Sequence, residues 1–183
     1  MTLLELAKKH KAYKLKPTNI HYLDIYEKWF APYKDKPIKL LEIGVYKGGS
    51  MKMWEEYFPN AMIYGLDKSK KSKKYRAPRI KIEIGDQGDE AFMKDYAERH
   101  EFDIIIDDGG HHMHQQKTSL CCLFSVFKSL YIIEDLVTSY RPEFGDGVST
   151  VEMLKDSIDI LNHTGNVKGL HFYKNICLIE KNV

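Results

Sequence analysis

The sequence predicts an α/β protein with a mostly parallel sheet and helices on both faces, and three observations lead there. Five short apolar runs, near 38–43 (IKLLEI), 62–66 (MIYGL), 80–84 (IKIEI), 102–107 (FDIIID) and 130–134 (LYIIE), are rich in β-branched residues, as strands buried on both faces of a parallel sheet are. Helical patterns separate them at 50–58, 89–100 and 113–128, the last with Leu120, Leu123, Phe124 and Phe127 on one face, so the order reads βαβαβ. Near the end VKGLHFY and ICLIE flank the tight pair Lys174–Asn175, the signature of an antiparallel hairpin closing the sheet edge. Five strands and a final hairpin make a seven-stranded, Rossmann-like sheet.

The remaining elements follow from local signals. A helix over 150–161 places Val151, Leu154, Ile158 and Leu161 at helical spacing, and Ser149 with Glu152 forms a capping-box pattern at its start. Two helical segments at 2–12 and 20–31 precede the first strand; residues 1–31 are expected to form a helical cover on a core over 38–183. At 183 residues the chain is expected to build one domain. Its 28 basic and 26 acidic residues leave a net charge of +2, which gives no broad footprint for nucleic acid or membrane and favours small-molecule partners. No apolar stretch approaches the roughly 18 residues of a membrane span, and the first residues, MTLLELAKKHKAYKLK, interleave lysine too early for a signal peptide. A cytoplasmic location is expected. Cys121, Cys122 and Cys177 have no metal-ligand spacing; the adjacent pair, inside an apolar helical pattern, is expected as reduced core thiols.

In an open parallel sheet, ligands bind outside the carboxyl ends of the strands. The first strand runs into Glu42-Ile-Gly44-Val-Tyr-Lys-Gly48-Gly49-Ser50, a loop in which glycines let backbone approach a ligand and the next helix offers free N–H groups. Its spacing departs from the GxGxxG of dinucleotide loops. Glu42 repels phosphate and is suited to orient a cationic ligand. The second strand ends at Asp67, placed to accept from both hydroxyls of a ribose, and the third at Gly85-Asp86-Gln87, where an adenine edge is expected. One aspartate after a strand is commonly only a turn residue. Three acidic residues closing three successive strands suit a sulfonium nucleoside, and S-adenosylmethionine fits best.

The segments LLEIGVYKGGSMKMW, YGLDKS, IGDQGD, DIIIDDGGHH and YIIEDL together resemble the macrolide-sugar O-methyltransferase and cephalosporin-hydroxylase-like branch of the class I methyltransferases, over roughly residues 16–140. The resemblance implies the class I methyltransferase fold and a Mg2+-dependent O-methylation of a sugar or glycosylated small molecule. It implies Asp108, Glu134 and Asp135 as metal ligands and His111 as catalytic base, with Asp107 on the cofactor side. Lys16-Pro-Thr18-Asn-Ile-His21-Tyr22 is similar to a segment that covers the cofactor, although Leu15 stands where that segment has aspartate. The sequence also lacks the family's Pro-Gly-Gly turn before the fifth strand, running through Phe127-Lys128-Ser129-Leu130 instead, and it lacks the extra lids of longer relatives, which a partner or a homo-oligomer would supply.

Competing readings rest on the same residues. His111, His112 and His114 beside two aspartates suggest a transition-metal site, but three carboxylates favour hard magnesium over zinc. The run Lys68–Arg76 reads as a solvated loop, with no aromatic platform for nucleic acid. A nicotinamide-dependent enzyme is opposed by the glycine spacing. A catalytically impaired binding or scaffolding protein of the same fold is the alternative that the missing Pro-Gly-Gly turn raises. The acceptor itself stays open, with a sugar hydroxyl ahead of catechol-like phenols.

Overall fold

A computed structural model describes residues 1–163 and 166–182. The chain divides into two compact units, Met1–Ile84 and Gly85–Val183.

The first unit holds helices α1 (Leu3–His10), α2 (His21–Phe30) and α3 (Gly49–Tyr57) and strands β1 (Lys39–Ile43), β2 (Met62–Asp67) and β3 (Ile80–Ile84). The strands run parallel in the order β3-β2-β1. Thr2 starts α1 because its hydroxyl accepts from the Glu5 N–H while the Glu5 carboxylate accepts from the Thr2 N–H. Tyr26 and Phe30 on α2 meet Trp54 on α3 at ring-centroid distances of 5.3 and 5.5 Å, and all three are fully buried. This aromatic core holds the cover helices down. Within the lysine run, Lys70–Tyr75 forms a 3-10 turn, capped by the Ser69 hydroxyl and anchored by the buried Ser72. Its lysines do face solvent.

The second unit holds helices α4 (Glu90–Arg99), α5 (Met113–Leu123) and α6 (Thr150–His163) and strands β4 (Phe102–Asp107), β5 (Phe127–Ile133), β6 (Val167–Tyr173) and β7 (Ile176–Lys181). The order is β4-β5-β7-β6. β4 and β5 are parallel, and β7 runs antiparallel to both β5 and β6. The C-terminal hairpin is therefore present, with Asn175 of its turn at φ 64°, a conformation asparagine tolerates. α6 begins as its cap predicts, the Ser149 hydroxyl accepting from the Glu152 N–H.

Two expectations need correction here. Helix α5 stops at Leu123 rather than 128, and β5 begins at Phe127, ahead of the apolar run at 130. Val126 N–H closes a turn on the Leu123 carbonyl, and the Lys181 ammonium donates to the Phe124 and Phe127 carbonyls. A register shift between Phe102 and Ile104 absorbs the difference, and Asp107 still pairs with Ile133, so the strand ends in register without a Pro-Gly-Gly turn. The second correction concerns the thiols. The buried face of α5 carries Gln116, Ser119, Leu120 and Leu123; at about 100° per residue this turns Cys121 out to solvent and leaves Cys122 half-buried, while Cys177 alone is a core thiol. Burial pushes the Cys177 thiol up to about 12.

Gly49, at the start of α3, sits against backbone. A Cβ there would lie 2.8 Å from the His10 carbonyl oxygen and 2.9 Å from the Ala12 Cα. Neither is a flexible side-chain end. Gly49→Ala is expected to destabilise the protein by about 1–3 kcal/mol, read as a lower urea midpoint at unchanged slope.

Candidate active site

In the first unit the predicted residues gather around the loop after β1. Asp67, ending β2, accepts the Val45 and Tyr46 N–H groups at 3.0 and 2.9 Å on one oxygen and the Ser69 N–H at 2.7 Å on the other. The carboxylate thus staples the glycine loop, holding Tyr46 at φ 48°, and three of its roughly four acceptor positions are already engaged. Gly44 and Gly48 take φ 95° and 69°, and at Gly48 any Cβ would strike the Tyr75 ring at 2.4 Å. Ser50 donates its hydroxyl to Glu42 at 2.6 Å. Glu42 does not stand open to orient a cationic ligand as expected. It is fully buried, and the equally buried Lys14 ammonium lies 3.2 Å from its other oxygen. Lys14 was not legible as a partner because it lies in the N-terminal segment, far from β1 in sequence. A cleft of about 420 Å³ in this unit, lined in part by Lys52, Glu56, Lys74 and Arg76, takes in none of the predicted residues.

In the second unit β4 and β5 end side by side, the Glu134 N–H donating to the Asp107 carbonyl at 3.0 Å. Just past these ends Asp108, His111 and Asp135 converge, each offering a ligand atom within 4.8 Å of the others. His111 Nε2 is 3.4 Å from Asp135 Oδ2 and 4.0 Å from Asp108 Oδ1. His111 and Asp135 both adopt left-handed backbone, at φ 60° and 56°, a cost that clusters at functional positions. Of the three predicted ligands, Asp108 and Asp135 are brought together. Glu134 stands outside this cluster and is fully buried. Its carbonyl accepts from Gln116 Nε2, whose own amide oxygen accepts the Thr150 hydroxyl.

Residues that sequence reasoning missed, or assigned otherwise, hold this cluster. Asp107 is 1% exposed; its carboxylate accepts from the Ser119 hydroxyl at 2.5 Å, Gln87 Nε2 at 3.0 Å and the Gly109 N–H. Burial pushes the Asp107 carboxyl above the usual range, against the pull of these hydrogen bonds. Gln87 does not extend toward an open adenine edge: its other end accepts the Gly110 N–H at 2.8 Å, so both ends of the side chain are engaged within the unit. Asp86, at the surface, accepts the Gly88 N–H in a tight turn. A Cβ at Gly110 would fall 2.0 Å from Gln115 Oε1, so any larger residue there would have to displace the end of that side chain.

No family model matches the chain. It is 35% identical over 189 residues to the 8-demethyl-8-alpha-L-rhamnosyl tetracenomycin-C 2'-O-methyltransferase of Streptomyces olivaceus, covering 87% of this chain and 50% of that protein. To the mycinamicin VI 2''-O-methyltransferase of Micromonospora griseorubida it is 37% identical, covering 85% and 47%. It matches the solved structure of MycE, a methyltransferase from the mycinamycin biosynthetic pathway in complex with Mg, SAH and Mycinamycin VI, at a TM-score of 0.92 and 35% identity over 100% of this chain and 55% of that one. The chain is a homologue of sugar O-methyltransferases. It spans about half the length of the curated relatives it matches, and it has the class I methyltransferase fold expected from the sequence.

The donor set of this methyltransferase homologue suits magnesium. Mg2+ is commonly held by one or two carboxylates and keeps several waters, and Asp108 with Asp135 supply two. The imidazole of His111 lies at the same point with its Nδ1 buried and lacking a hydrogen-bond partner. Replacing the clamp beneath the cluster tests its importance. Gln87→Met strands the Gly110 N–H and removes a donor from buried Asp107, so it is expected to lower stability by about 1–3 kcal/mol in chemical unfolding; Gln87→Glu keeps the acceptor for Gly110 but sets a second carboxylate against buried Asp107 and is expected to cost at least as much.

Proposed function

We propose that the protein is a Mg2+-dependent O-methyltransferase that uses S-adenosylmethionine to methylate a hydroxyl of a sugar or glycosylated small molecule. The convergence of Asp108, His111 and Asp135 beyond β4 and β5 carries this reading, supported by relatives whose names describe O-methylation of rhamnosyl and mycinamicin substrates and a similar structure in complex with Mg and SAH. In the first unit the loop from Gly44 to Ser50 and Asp67 form the cofactor side, the remaining acceptor capacity of Asp67 taking a ribose hydroxyl. Asp86, exposed after β3, is left as the candidate contact for adenine. Asp108 and Asp135 hold the metal. When bound, magnesium lowers the pKa of an acceptor hydroxyl and S-adenosylmethionine supplies the methyl group.

His111 is the base. Its Nε2 removes the hydroxyl proton, and Asp135, 3.4 Å away, stabilises the imidazolium that results. The left-handed turn at His111 brings the imidazole back over the aspartate three residues before it. His111 as a third metal ligand is the competing role, and the two separate cleanly in a variant. The partner is a small molecule; no helix among the described residues is long and apolar enough to cross a membrane.

Two outcomes are expected. Asp67→Ala weakens S-adenosylhomocysteine binding in calorimetry by an amount on the order of 1–3 kcal/mol, and unchanged affinity would remove Asp67 from the cofactor side. A chelator abolishes methyl transfer while leaving cofactor binding intact, and His111→Ala lowers turnover roughly 100-fold or more with little change in Mn2+ affinity. Full activity in excess chelator would refute the metal role; a collapse of Mn2+ affinity in His111→Ala would make the imidazole a ligand.

A further inference from the structure

The lysine run after β2 has a part that the proposed chemistry leaves unused. Lys74 and Arg76, at the end of its 3-10 turn, line the cleft of about 420 Å³ in the first unit, a volume within the range of small-molecule sites, roughly 300–1,000 Å³. Lys52, Glu55 and Glu56 of α3 line it too. Ile80, the first residue of β3, also borders the cleft, whereas Asp67 pairs with Ile84 at the far end of that strand. Four residues at the rise of an extended chain separate those ends by about 13 Å. The cleft therefore lies toward the amino end of β3, and the cofactor side at its carboxyl end.

Some of the charges in this cleft are already matched. Arg79 donates to the Glu55, Phe58 and Ala61 carbonyls and so closes the end of α3. Glu56 accepts from the Lys9 ammonium at 2.6 and 2.8 Å, with His10 Nε2 at 2.7 Å; these partners hold its carboxyl below the usual range. Other groups are not committed. Arg76 donates through Nε and Nη2 to the Ile82 carbonyl, which fixes the guanidinium and leaves Nη1 without a hydrogen-bond partner among the described residues. The Lys52 and Glu55 side chains make no hydrogen bond or ion pair among the described residues, and the Lys74 ammonium has only the Tyr75 ring, 5.0 Å away. Three uncommitted cations thus border the cleft beside one uncommitted carboxylate.

We propose that this cleft binds a phosphate monoester that carries a free hydroxyl, as a sugar phosphate or a nucleotide does. Such an ester bears about −1.5 to −2 charges at pH 7, which matches a guanidinium and two ammonium groups better than a singly charged carboxylate would. Arg76, held by Ile82, offers its outer donors in the planar geometry that suits phosphate oxygens, and Lys52 and Lys74 add point charges. Glu55 repels phosphate oxygens and accepts from a hydroxyl. It therefore orients the ester and disfavours inorganic phosphate.

Two lining residues also back the glycine loop, the Tyr75 ring against Gly48 and the His10 carbonyl against Gly49, so the test keeps the cofactor side filled. Calorimetry on the full chain, with a chelator and saturating S-adenosylhomocysteine, uses ribose 5-phosphate, AMP and inorganic phosphate as probes. At least one ester is expected to bind, about tenfold more tightly than inorganic phosphate, and the tighter of the two names the source. Replacing both lysines, Lys52→Gln with Lys74→Gln, is expected to weaken the ester about tenfold or more at an unchanged urea midpoint. Arg76→Lys, which keeps the charge and loses the fork, is expected to weaken it as well. Lys70→Gln with Lys71→Gln removes the same charge outside the cleft and is expected to leave binding unchanged. The proposal is overturned if neither ester binds, if inorganic phosphate binds as tightly, or if the two double variants lose affinity equally. No outcome here depends on methyl transfer, so the cleft and the proposed function stand or fall separately.

Discussion

The second unit depends on a carboxylate that never meets solvent. Asp107 ends β4 with its side chain turned inward, and burying a carboxylate costs several kcal/mol unless hydrogen bonds replace water. Ser119 from α5, Gln87 from the segment after β3 and the Gly109 amide provide them. Because the donors come from three separate stretches of chain, satisfying one charge fixes where α5 starts, where the Gly109–Gly110 turn lies and how the Gln87 loop approaches it. Asp108 and His111 inherit their positions from that arrangement. The proposed metal ligand is the half-buried neighbour of a residue whose work is entirely internal, and two adjacent aspartates divide those tasks because successive side chains leave a strand end on opposite sides.

The same economy recurs in the first unit. Asp67 spends its acceptors on the loop that it is proposed to help present to a cofactor, and Glu42 is neutralised by Lys14 before any ligand arrives. Burying an ion pair adds little net stability over apolar packing, while removing one partner is costly. The Lys14–Glu42 pair therefore specifies where the N-terminal segment attaches more than it strengthens the attachment.

Most strand positions were legible because each apolar run ends in an acidic or glycine residue, a local and repeated signal. What escaped the sequence was decided by distant partners. The apolar pattern of α5 continues through Phe124 and Phe127, so nothing local announces its end; the stop depends on Lys181, more than fifty residues on. Gln87 looked like a ligand contact at a strand end, and its true partner, Asp107, lies twenty residues away. The spacing from Asp108 to His111 was legible because a single turn spans it. Glu134 and Asp135 looked equivalent, yet Glu134 is fully buried and Asp135 is half-buried in the cluster, as side chains that leave a strand end on opposite sides are.

The placement of β5 also bears on how the protein is made. Its sequence, FKSLYII, is apolar, rich in β-forming residues and carries one charge, the composition of an aggregation-prone strand. One edge is paired with β4, already synthesised, but the other waits for β7. Between them the ribosome must add the two 3-10 turns, α6 and β6. Throughout that interval the nascent chain carries an unpaired, hydrophobic edge, the element most in need of shelter by a chaperone. Substitutions that slow or weaken the β6–β7 hairpin should then reduce soluble yield before they reduce the stability of the finished molecule.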